Sequence, residues 1–114
     1  MAEFKVFAGA VHIGHSLLES GDPPMGVAIG KFVPSPAYSS VQSQCRAARE
    51  LPQAHLNLTI ACPNGDRLPA DNGISILDFS EELGEIEVHA YGIGYPLYGE
   101  LFPQHVAAYE AQFK

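Results

Sequence analysis

The sequence predicts an α+β fold, in which a mainly antiparallel β-sheet of five or six strands carries two helices, at about 36–50 and 103–113. Three observations predict it. Residues 55–62 and 85–92 alternate between apolar and polar side chains, which is the period of a strand with one covered face. Ser35-Pro36 and Pro103 each open a segment whose apolar residues recur at helical spacing. The second half is punctuated by Pro63-Asn64-Gly65-Asp66 and Asp71-Asn72-Gly73, turn sequences of hairpin length. A chain of 114 residues is close to the commonest single-domain size and buries about two-thirds of its unfolded surface, so one domain spanning 1–114 is expected.

Taken in order, Phe4 to Ile13 is rich in Val, Phe and Ile and reads as a core strand, with a short strand following through Leu17 and Leu18. Its histidines, His12 and His15, and the lack of a small-residue cleavage site argue against a secretory leader. The Ser20-Gly21-Asp22-Pro23-Pro24 cluster forces a turn or loop. Met25 to Val33 reads as another strand. Its Gly26, Ala28 and Gly30 leave one face almost bare, as needed where another part of the chain packs closely.

Ser35 is placed to cap the first helix and Pro36 to occupy its first position. Tyr38, Val41, Cys45 and Ala48 form its apolar stripe, and Leu51-Pro52 ends it. Arg46 lies well off that stripe and Arg49 near its edge, available to the acidic half of the chain. In the following strand Leu56, Leu58, Ile60 and Cys62 point one way. Ile74 to Phe79 forms the next strand, Ser80 to Gly84 turns it back, and Glu85 to Ile93 returns with Ile86, Val88 and Ala90 inward. Val106, Tyr109 and Phe113 line one face of the last helix, and Phe102 staples its start.

Charge is distributed unevenly. Residues 68–113 contain Asp71, Asp78, Glu81, Glu82, Glu85, Glu87, Glu100 and Glu110 but no Lys or Arg, and this stretch, offset only by Lys114, accounts for the net charge of −7. A one-signed field of this kind accelerates encounter with cationic partners and opposes approach to phosphates, so nucleic acid is disfavoured as a partner. Glycine patterns that cradle nucleotides are missing, as are metal-binding Cys/His motifs and nucleophile motifs, so neither a metal nor a cofactor is expected. His12 and His15 have H-x-x-H spacing, but in a strand their rings face opposite ways. His55 and His105 read as ordinary surface or capping residues. Cys45 and Cys62 read as buried free thiols, consistent with a reducing, cytoplasmic setting. No apolar run is long enough to span a membrane.

Two groups of residues carry functional weight. Glu87, His89 and Tyr91, at alternate positions about 7 Å apart on one strand face, are the residue types of an acid–base site. The carboxylates Asp78, Glu81, Glu82 and Glu85, with Tyr95 and Tyr98 as aromatic anchors, suit docking to a basic protein. The principal reading is a small acidic binding module of the inhibitor, immunity or adaptor type. A small enzyme using Glu87, His89 and Tyr91 is the alternative. The third reading is a homo-oligomeric structural subunit with Tyr91, Tyr95, Tyr98 and Phe102 at its interface.

Overall fold

In the computed structural model, which describes residues 3–47 and 53–113, the apolar N-terminal run divides into two antiparallel strands, β1 (Phe4–Ala8) and β2 (Val11–Ser16). Leu18, expected in a further strand, instead adopts a positive φ of 45° and is fully buried. The cluster expected to be only a loop contributes β3 (Ser20–Asp22) and then a 3₁₀ turn at Pro23–Met25. The next segment is split into β4 (Val27–Lys31) and β5 (Val33–Pro34). After the helical region come β6 (Leu58–Ala61), β7 (Gly73–Phe79) and β8 (Glu85–Tyr91).

The class is α+β as expected, but the strands form two four-stranded antiparallel sheets in place of one. The first has the order β5-β2-β1-β6 and the second β3-β4-β8-β7. Segments 55–62 and 85–92, expected in the same sheet, therefore belong to different ones. The chain from Val27 to Pro34 explains the division. Its first part pairs with β8 and its last part with β2, so the chain changes sheet at the buried Phe32. Side chains from both sheets then meet in one core that includes Val6, Ile13, Ile60, Ile76, Val88 and Phe102.

The first helix is shorter and less regular than expected. Pro36–Ser40 is a 3₁₀ turn, and α1 spans Gln42–Ala47; the remainder of the expected helix, 48–50, lies outside the described residues. Ser35 does not cap it: its hydroxyl donates to the carbonyl of His12 at 2.8 Å, tying the turn to β2. A 3₁₀ turn at Ala54–Leu56 and a positive φ of 52° at Asn57 delay the start of β6. Two helices close the chain, α2 (Leu97–Leu101), which was not expected, and α3 (Pro103–Ala111). Phe102 between them is buried, stacked between the rings of Phe4 and His105. Of the expected inward set, Tyr38, Leu56, Ile60, Ile86 and Val88 are buried, and Val41, Leu58 and Val106 pack partly against the core. Phe113 is 73% exposed: it follows the last turn of α3, where its ring meets that of Tyr109.

The bare strip on β4 has a packing cause. A Cβ at Gly30 would lie 2.7 Å from Leu18 Cα and 2.5 Å from a Glu19 carboxylate oxygen, and would also collide with the Ser16 hydroxyl. Gly30 thus lets the 16–19 crossing, whose Ser16 and Leu18 are buried, lie directly on the sheet. We expect Gly30→Ala to destabilise the fold by about 1–3 kcal/mol, the usual cost of overpacking a tight contact, as read from urea unfolding.

Candidate functional site

The β7–β8 hairpin carries Glu87, His89 and Tyr91 and the four candidate carboxylates, while Tyr95 and Tyr98 follow it. At its tip Glu81, Glu82, Leu83 and Glu85 are exposed, and Leu83 is 69% exposed among the carboxylates. Asp78 does not join them. β7 turns it inward with Ile74 and Ile76, and it is only 1% exposed. Its carboxylate accepts hydrogen bonds from the Tyr38 hydroxyl (2.7 Å), the Gln42 amide (3.3 Å), the Ser80 backbone N–H (2.8 Å) and the Ser80 hydroxyl.

Arg46 joins the same network from α1. Its guanidinium donates to the Ser80 hydroxyl at 2.9 Å, pairs with Glu81 at 2.9 Å, and places Nε 3.7 Å from Asp78. One of the few bases in the chain is therefore spent on the acidic hairpin, which reduces the outward charge of Glu81. Burial pushes the Asp78 carboxyl up, but the bonds from Ser80, Tyr38 and Gln42 outweigh it and hold the group below the usual carboxylate range. Burial, together with the hydrogen bond to Asp78, drives the Tyr38 phenol far upward, so it stays protonated and keeps donating.

On β8 the outward row forms a hydrogen-bonded chain. His89 Nε2 lies 3.0 Å from Glu87 Oε1, and His89 Nδ1 lies 3.0 Å from the Tyr91 hydroxyl. In the neutral imidazole Nε2 bears the proton, because a carboxylate can only accept; Nδ1 is then the acceptor, Tyr91 donates to it, and the chain runs Tyr91 to His89 to Glu87. Burial raises the Tyr91 phenol above its ordinary value, partly offset by a hydrogen bond with Ser75 on β7. Glu87 borders a hollow of about 260 Å³ with Glu19 and Lys31, whereas Tyr91 borders another of about 240 Å³ with Asn57, Asn72 and Ser75.

The two tyrosine anchors separate. Tyr95 is 57% exposed, its hydroxyl donating to the Pro23 carbonyl at 3.2 Å. Tyr98 is fully buried and donates to the Val27 carbonyl at 2.7 Å; burial, with Tyr95 and Asp22 nearby, pushes its phenol up to about 12. Neither Tyr98 nor Phe102 is therefore available at the surface. The members of this group that are exposed are Glu81, Glu82, Glu85 and Tyr95, and Leu83 is exposed among the carboxylates. Leu83 is an isolated apolar residue in a turn, a signal that the sequence reading passed over.

His105 also departs from expectation. It is buried, its Nε2 lies 2.8 Å from the Leu18 carbonyl, and its ring stacks on Phe102 at 5.0 Å. His55 is exposed as expected. Cys45 and Cys62 are buried free thiols. Among the described residues, no group of three His, Cys, Asp or Glu is arranged to hold a metal ion, and no helix is long and apolar enough to cross a membrane.

Because the folded pKa of Asp78 is depressed, its contribution to stability is present above the ordinary Asp value and is lost as pH falls through the folded one. We expect Asp78→Asn to cost on the order of 2 kcal/mol at pH 7, from lost charge-assisted hydrogen bonds. The gap to wild type should begin to narrow below about pH 4, where the carboxylate of the unfolded chain takes up a proton, and should close only below the depressed folded value. Urea unfolding at pH 7 and pH 3 measures both; an equal gap at the two values would contradict the assignment.

Comparison with protein-family models, with characterised proteins and with solved structures finds no match to this chain.

Proposed function

We propose that this protein is a small acidic binding module, of the inhibitor, immunity or adaptor kind, that docks a basic protein partner through its C-terminal half. The observation that carries this reading is the tip of the β7–β8 hairpin, where an exposed leucine stands among exposed glutamates. Carboxylates on a rim mainly accelerate encounter, while an apolar side chain entering a dry pocket slows departure. The buried Asp78 network supports the reading as well. It holds the hairpin to α1, so that less ordering entropy is lost when a partner binds.

Capture from native lysate at low and moderate salt, with the partner then identified, is the first experiment. With that partner, the variant carrying Glu81→Gln, Glu82→Gln and Glu85→Gln should associate about tenfold more slowly at low ionic strength, with a flatter salt dependence. Leu83→Ala should instead raise the dissociation rate. Recovery of no basic protein, or unchanged kinetics in the triple variant, would leave the carboxylates as a solubility device.

The Glu87, His89 and Tyr91 chain favours a second reading, a small enzyme in which a proton leaving a bound group passes through Tyr91 to His89. Glu87 stabilises the imidazolium that results. This reading requires the tautomer derived above. Nitrogen-15 spectra of His89 should show Nε2 protonated and Nδ1 bare in the wild type, with a mixed signal in Glu87→Gln, because a glutamine amide both donates and accepts. A wild-type ring protonated at Nδ1 would remove it.

A further inference from the structure

The two edges of the second sheet are treated differently. At the β7 edge the Gln53 side chain acts as a one-residue strand: its amide N–H donates to the Ile76 carbonyl at 2.8 Å, and its carbonyl accepts from the Ile76 N–H at 2.7 Å. That edge is plugged at Ile76, the middle of β7. At the opposite edge, β3 ends the strand order, and Ser20, Gly21 and Asp22 are all exposed. Among the described residues no side chain reaches across to bond its backbone. Such an edge is a template for another chain.

A groove of about 480 Å³ runs between β3 and α3. The helix wall presents Gln104, Ala108 and Gln112 at four-residue spacing, with Tyr109 beside them. His105 sets the distance between the walls. Its Nε2 donates to the Leu18 carbonyl, which can only accept, and a Cβ at Gly21 would stand 2.9 Å from its ring. The strand wall adds Glu19 and Asp22, and no Lys or Arg lines the groove. The adjoining 260 Å³ hollow shares Glu19 and Ser20 and brings in Glu85 and Glu87 from β8 of the acidic hairpin, with Lys31 as its one base. Carboxylates therefore run from the hairpin to the groove.

We infer that this groove receives an extended basic segment of the partner, added as a strand to β3 and flanked by α3. The inference rests on the basic-partner reading and names how that partner is held. Backbone hydrogen bonds to β3 supply a sequence-tolerant grip, and alternate Lys or Arg side chains of the added strand meet Asp22 on one face, with Glu19 just before β3 adding to the negative field.

The test uses fluorescently labelled hexapeptides with the intact protein: Lys-Val repeated three times, the same length of Glu-Val, and two Lys-Val forms N-methylated at odd or at even amides. Only one edge of an added strand faces β3, so one methylated form should lose about tenfold or more in affinity while the other binds as the parent does. Hydrogen exchange at residues 20–22 should slow on binding, and Asp22→Lys should weaken the Lys-Val peptide about tenfold while admitting the Glu-Val peptide. Equal affinity of both methylated forms, without protection at β3, would overturn strand addition but leave charge-driven binding standing. Glu-Val binding as tightly as Lys-Val would overturn the basic-partner reading itself. Absence of binding by every peptide would overturn the groove as a peptide site, with the hairpin reading still judged on the captured partner.

Discussion

Burial of the Asp78 carboxylate is the constraint on which much of the molecule depends. An ionised group withdrawn from water costs several kcal/mol unless its lone pairs are met, so the fold must bring donors to it. They arrive from three places: Tyr38 from the 3₁₀ turn, Gln42 from α1 and Ser80 from the hairpin turn. Arg46 adds its charge from the same helix. A single acid thus fixes how the 36–47 segment lies against the second sheet and where the hairpin tip points. It also alters the electrostatics, since one of the eight C-terminal carboxylates is internal and another, Glu81, is paired.

The second organising feature is the chain from Val27 to Pro34. By pairing with β8 and then with β2 it joins the two sheets, and its small residues admit the 16–19 crossing on one side. That crossing ends at the carbonyl of Leu18, which His105 holds, and so the position of α3 is linked to the path of the chain between β2 and β3. The open β3 edge and the groove beside it are products of this arrangement. Gln53 plugs the other edge at Ile76, which leaves β3 as the backbone surface of this sheet best suited to a partner strand.

The row on β8 illustrates what period-two geometry can and cannot deliver. It places Glu87, His89 and Tyr91 on one side, and the contacts of 3.0 Å on each side of His89 follow when the rings lean along the strand. Concavity is a property of neighbouring strands and loops. Here they set Glu87 and Tyr91 on different hollows.

By itself the sequence determined what local sterics and solvation decide: the α+β class, the strand at 85–91 with Ile86, Val88 and Ala90 inward, the helix after Pro103, the buried thiols and the acidic surplus. These follow from alternation, turn residues and charge, each of which acts within a few residues. Tertiary structure decided the rest. Which strands pair depends on contacts far apart in the chain, so the division into two sheets had no local signal. Asp78 gave no warning of its burial, because Leu77 and Phe79 make the outer face of β7 apolar too and no alternation marks the inner one. His105 and Phe113 were assigned to the wrong environments because α3 has apolar residues around its circumference. Packing of α3 against β3 and the Pro23–Met25 turn, with His105 stacked on Phe102 and held by the Leu18 carbonyl, decides which side of that helix is covered.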